Sequence, residues 1–153
     1  MDDSSESFPN IPAEGVRFRL KARDSKHFMY SRLAPEPTVG HSLIGGERND
    51  QIFTLIHGRH DRKGLYAIKS WACGNVVFSR FTFSPAVGNI GGDGDYPDNW
   101  FEFLQDDLDK ESFRIYCPTS DSVLFSRIAQ EPTFSNFLGG KYSDQLWRFV
   151  LVD

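Results

Sequence analysis

One pattern occurs three times in this chain, and any fold it adopts must place the three copies equivalently. Each copy opens on an aromatic-led segment: Phe18-Arg19-Leu20-Lys21, Tyr66-Ala67-Ile68-Lys69 and Phe113-Arg114-Ile115-Tyr116. A Ser-Arg pair follows at fixed spacing (Ser31-Arg32, Ser79-Arg80, Ser126-Arg127), then a proline (Pro37, Pro85, Pro132). A glycine pair comes next, and then an aspartate with an amide: Asp50-Gln51, Asp98-Asn99 and Asp144-Gln145. An aromatic closes each copy at Phe53, Phe101 or Trp147. The copies are offset by 48 and then 47 residues. A period of this size marks a repeat architecture, and three copies filling the chain suggest closure around a threefold axis.

Within each copy the apolar residues alternate with polar ones, as Phe18, Leu20 and Ala22 do with Arg17, Arg19 and Lys21, which is the period of a strand. Polar turns at Asp24-Ser25-Lys26, Gly74-Asn75 and Thr119-Ser120-Asp121 lead into second strands, so each pair reads as a hairpin. The repeated proline ends or edges that strand, because it cannot donate to a ladder. A third strand runs through Val39, Val87 or Phe134, and a fourth starts at the Asp-amide pair. No segment shows helical periodicity with caps. Four strands in each of three repeats predict an all-β, twelve-stranded β-trefoil: six strands in a closed barrel and six in three capping hairpins. Closure removes sheet edges. The repeats span roughly 15–63, 64–110 and 111–153 of a single domain. Residues 1–14 form an acidic, proline-containing lead, whose first eight or so residues are expected to be disordered.

Composition narrows the function. A net charge of −4 argues against nucleic acid as the main partner. Cys73 and Cys117 make neither a disulfide framework nor a metal-ligand spacing. No stretch approaches a membrane span. Met1-Asp2-Asp3-Ser4-Ser5-Glu6 has neither the basic start nor the apolar run of a signal peptide, so a cytoplasmic protein without membrane insertion is expected. Asp93, Asp95 and Asp98 depart from a calcium loop at Pro97 and Leu104. His57 and His60 read as part of a solvated connector. No cofactor, metal or catalytic constellation is expected, and a polar site repeated three times suits binding better than catalysis.

A barrel core accounts for the repeated apolar residues but not for the polar ones. Three arginines (Arg32, Arg80, Arg127), three aspartates (Asp50, Asp98, Asp144) and the residue four after each proline (His41, Asn89, Asn136) also recur. Two roles are open to the arginines and aspartates: ion pairs locking the second strand to the fourth, or polar cups in which a carboxylate and an amide bind sugar hydroxyls. Gly92 and Gly140, in the neighbouring turns, allow close backbone approach. Tyr96 or Tyr142 offers a hexose an apolar face; Arg48 stands near the corresponding place in the first repeat. The amides Gln51, Asn99 and Gln145 mainly brace their repeats, with Asn99 also kept among the candidate ligand groups.

Several longer stretches carry a family likeness: Pro9-Asn10-Ile11-Pro12-Ala13-Glu14-Gly15-Val16, Leu65-Tyr66-Ala67-Ile68-Lys69-Ser70, Val87-Gly88-Asn89-Ile90, Ser112-Phe113-Arg114-Ile115-Tyr116, and Lys141-Tyr142 with Asp144-Gln145-Leu146-Trp147. In these the chain resembles the β-trefoil lectins of mushroom fruiting bodies, those of boletes above all. The resemblance implies recognition of galactose- and N-acetylgalactosamine-terminated glycans at up to three sites, a homodimer, and a defensive, antiproliferative role. It carries Asn89, Asn136, Asp98 and Asp144 over directly, whereas His41 departs from the pattern. The main alternative is a trefoil protease inhibitor acting through one exposed loop, at His57–Gly64 or Asp93–Pro97. A protein-binding trefoil is the other.

Overall fold

The computed structural model describes residues 6–43 and 48–152. Thirteen strands form one sheet system: β1 (Glu6–Ser7), β2 (Phe18–Ala22), β3 (Phe28–Ser31), β4 (Val39–Ser42), β5 (Phe53–His57), β6 (Tyr66–Ser70), β7 (Val76–Ser79), β8 (Val87–Ile90), β9 (Trp100–Gln105), β10 (Phe113–Cys117), β11 (Ser122–Ser126), β12 (Phe134–Leu138) and β13 (Trp147–Leu151). Strands β2, β5, β6, β9, β10 and β13 close into a six-stranded ring, because β9 pairs with both β10 and β6. The hairpins β3–β4, β7–β8 and β11–β12 lie off that ring. This is the expected β-trefoil, with one added strand.

The threefold pattern of the sequence becomes a threefold core. Phe18 pairs with Phe53, Tyr66 with Phe101 and Phe113 with Trp147 across neighbouring barrel strands. Phe18, Phe53, Phe101, Phe113 and Trp147 have no exposed surface. Met29, Val77 and Leu124 fill equivalent places beneath the hairpins. Burial of this apolar surface, at about 25 cal/mol per Å², is the main term holding the barrel closed.

Three expectations change. The Asp-amide pairs do not begin the fourth strands; they sit in one-turn 3₁₀ segments just before them, at Asn49–Gln51, Pro97–Asn99 and Ser143–Gln145. Glu6, Ser7 and Phe8 of the lead, expected to be disordered, pair with the barrel. Glu6 and Ser7 pair with Gln105 and Leu104, and the Phe8 N–H bonds the Phe103 carbonyl at 2.8 Å. Phe8 is buried against Phe113, with ring centroids 4.9 Å apart, and so caps an aromatic cluster with Phe103 and Phe149. Residues 1–5, and Gly45-Gly46 of the first repeat's glycine pair, lie outside the described residues. Finally, His57 is no solvated linker residue. Its Nε2 lies 3.0 Å from the Pro12 carbonyl, and its N–H reaches Glu14 at 2.8 Å, so the strand end holds the lead.

Candidate functional site

The polar residues divide into two sets with different work. One set joins the repeats. Asn89 Nδ2 donates to Ser31 Oγ at 2.7 Å and to the Arg32 carbonyl at 3.0 Å. Asn136 Nδ2 donates to Ser79 Oγ at 2.8 Å and to the Arg80 carbonyl at 3.1 Å. His41 completes the cycle, its Nδ1 lying 2.6 Å from Ser126 Oγ and its Nε2 3.0 Å from Thr133 Oγ1. Second repeat grips first, third grips second, and first grips third. The serine of each Ser-Arg pair is fully buried and takes part in each tie. Asn89 and Asn136 were expected to meet a sugar, but their amide protons are committed between repeats. Burial holds the His41 imidazole down at about 4, and the His27 ring stacked 4.5 Å away adds to the effect.

Asn99 also leaves the list of ligand groups. It is fully buried, with Nδ2 donating to the Val77 carbonyl at 3.2 Å and Oδ1 accepting from the Tyr96 N–H at 3.1 Å. Gln145 braces the third repeat in the same way, through the Tyr142 N–H and the Gly139 carbonyl. Buried and bonded inside the protein at both ends, these two amides present no surface to a ligand.

The second set builds the cups. Each repeated arginine lies over the aromatic two residues before it: Arg32 over Tyr30 at 4.4 Å, Arg80 over Phe78 at 4.1 Å and Arg127 over Phe125 at 4.5 Å. Each also closes the loop that follows. Arg32 Nε donates to the Pro35 carbonyl, Arg80 Nε to that of Pro85, and Arg127 Nε to those of Gln130 and Pro132. Stacking and loop bonds fix a planar fork in one orientation. The aromatics themselves rest on glycines across the hairpin: Tyr30 pairs with Gly40 and Phe78 with Gly88. A Cβ at Gly88 would come within 2.7 Å of the Phe78 ring. Tyr30, Phe78 and Phe125 escape a reading of the sequence alone; the glycines opposite two of them are the signal that marks them.

In the third repeat this machinery frames a concavity of about 260 Å³, lined by Phe125, Arg127, Gln130, Phe137, Tyr142 and Asp144. Arg127 and Asp144 approach to 3.9 Å, and the Asp144 side chain keeps 25% of its surface exposed. Burial pushes the Asp144 carboxyl above the usual carboxylate range, while Arg127 pulls the other way. Tyr142 stands edge-on to Phe137, with centroids 5.8 Å apart, and leans over Gly140, where a Cβ would meet its ring at 2.5 Å. In the first repeat a concavity of about 300 Å³ is lined by Tyr30, Arg32, His41, Ser42, Arg48 and Asp50. Asp50 Oδ1 is buried there without a hydrogen-bond partner. Thus His41 both ties the repeats and borders a cup. In the second repeat Arg80 lies between Phe78 and Phe83, Asp98 is half-buried in its 3₁₀ turn, and Gly92 has a left-handed φ of 99° beside Asp95. Among the described residues, ion pairs lock neither Arg32 to Asp50 nor Arg80 to Asp98; only the long third-repeat contact forms.

The third-repeat cup holds a partly exposed carboxylate, a clamped guanidinium and an aromatic wall, which suits capture of a polyhydroxylated ring. Among the described residues no group of three His, Cys, Asp or Glu could hold a metal ion. Asp93 instead pairs with Lys69 at 2.9 Å. The two loops considered for protease inhibition are pinned to each other: Arg62 donates to the Gly94 carbonyl at 2.7 Å and lies over Trp100.

Among solved structures, the BEL β-trefoil in its apo form is 58% identical, with a TM-score of 0.93, covering 96% of this chain and all of that one. SeviL bound to the asialo-GM1 saccharide is 13% identical (TM-score 0.68, 90% of this chain and 98% of that one), a likeness of fold alone. The designed threefold-symmetric protein ThreeFoil is 16% identical (TM-score 0.69, 89% and 99%) and again shares the fold. No family model matches the chain, and no curated protein does.

Proposed function

Because the chain belongs to the family of the BEL β-trefoil, we propose that it is a carbohydrate-binding lectin for terminal galactose and N-acetylgalactosamine, with up to three cups per chain. The observation that carries this reading is the third-repeat cup. Asp144 presents a partly exposed carboxylate beside a clamped Arg127, with Tyr142 and Phe137 forming an aromatic wall. A carboxylate accepts two hydroxyl protons, the arginine donates to a ring or hydroxyl oxygen, and the wall packs on the apolar face of the hexose. An axial hydroxyl at carbon four would find its acceptor in Asp144, and a sugar lacking it would leave that carboxylate short of a partner.

One cup of this size binds weakly, on the order of mM to tens of μM. Strength on a cell surface comes from several cups engaging a dense glycan layer, which adds roughly a hundredfold or more without new contacts. Binding rather than catalysis follows from the pseudo-symmetric repetition, and a homodimer would multiply the sites further. That SeviL carries a saccharide on the same fold is in keeping with this reading. A glycan array probed with the purified protein tests it. Selective capture of galactose- or N-acetylgalactosamine-terminated glycans is expected, and an empty array would reject it.

A further inference from the structure

Resting on the carbohydrate reading above, we propose that the first-repeat cup takes an anionic galactose-type sugar, carrying a sulfate ester or a carboxylate, and that Arg48 is the residue that pairs the anion. The three repeats share their aspartate and their stacked arginine, but they differ at the residue that opens the 3₁₀ turn. That residue is Tyr96 in the second repeat, Tyr142 in the third and Arg48 in the first. Tyr142 supplies the third cup with an aromatic wall. Arg48 lines the first cup in its stead and brings a fork of N–H donors that matches the oxygens of a sulfate or carboxylate.

The charges agree. The third cup sets one cation, Arg127, against one anion, Asp144. Among the described residues the first sets two cations, Arg32 and Arg48, against Asp50. Arg32 is already engaged with the Pro35 carbonyl, the Tyr30 hydroxyl and the Tyr30 ring. Arg48 enters none of the ion pairs among the described residues. Asp50 Oδ1 is buried and lacks a donor, which a sugar hydroxyl supplies. One ligand therefore meets both needs, a hydroxyl for Asp50 and an anion for Arg48.

The test is calorimetry at low and high salt with four probes: methyl galactoside, its sulfate esters at carbons three and six, and methyl galacturonide. It uses the wild-type chain, Arg48→Tyr and Arg48→Ala. The wild type is expected to bind at least one anionic probe about tenfold more tightly than the neutral one at one site per chain. That advantage should shrink at high salt. Both variants should lose it while still binding the neutral galactoside at the other cups. The sulfate and galacturonide arms tell which anion is meant. Equal affinity for neutral and anionic probes in the wild type, or a preference that survives Arg48→Tyr, overturns the inference and leaves the lectin reading intact. Binding of no probe at any cup removes both.

Discussion

The His41 imidazole meets the Ser126 hydroxyl at 2.6 Å, joining the first repeat to the third where the other two repeats use an asparagine. The same Ser126 hydroxyl lies 2.6 Å from Ser25, and the other His41 nitrogen faces Thr133. The imidazole packs against the tilted rings of His27 and Phe134. A titratable ring therefore occupies a joint that is uncharged in the other two repeats.

That joint should respond to acid. Burial lowers the folded-state pKa of His41 to about 4, below its ordinary value of 6.5. The unfolded chain then binds the proton first. The contribution of His41 is fully present above about pH 6.5 and is lost as the pH falls toward 4. His41→Asn installs the residue used in the other two repeats and removes this slope. In thermal melts across that window the wild-type Tm should fall relative to that of the variant as the pH drops. A constant difference in Tm would show that the joint is indifferent to protonation.

Asn136 is the most buried of the three ties, at 8% exposure, and joins Ser79 to the Arg80 carbonyl. Asn136→Ala leaves both acceptors short of a partner and should cost about 1–3 kcal/mol. Urea titration should show a lower midpoint with an unchanged slope. Unaltered sugar binding at the third cup would confirm that the tie is structural.

Phe8 closes one end of the barrel against Phe113 and Phe149. Phe8→Ala should cost on the order of 3 kcal/mol. Hydrogen exchange should rise first in β9, whose Phe103 carbonyl accepts the Phe8 N–H. A melt identical to wild type would mean that the lead contributes nothing to closure.

The repeats, the strands and the aromatic core were readable because a period of this length and strand alternation are local signals, and burial follows directly from them. The direction of a polar side chain is not local. Asn89 and Asn136 recur at fixed spacing, which looks the same whether they face a ligand or a neighbouring repeat; their partners lie 58 and 57 residues away in sequence. Phe8 is a single apolar residue in a polar lead and produces no periodic pattern. Arg32, Arg80 and Arg127 stood out, but the aromatic rings that hold them flat did not, since Tyr30, Phe78 and Phe125 resemble ordinary strand residues. Asp50 and Asp144 were singled out from sequence, and each lines a concavity. Tyr142 was singled out, along with Tyr96, because an aromatic beside a carboxylate is a chemical pairing rather than a conformational one.

Asp144→Ala, followed by calorimetry with N-acetylgalactosamine and by a thermal melt, tests the central claim most directly. The ion pair to Arg127 is long and partly solvated, so its loss should move Tm by no more than a few degrees. Stoichiometry should fall by one site per chain, and the binding that remains should keep its affinity. An unchanged stoichiometry in a folded variant would contradict the assignment of this carboxylate to sugar capture.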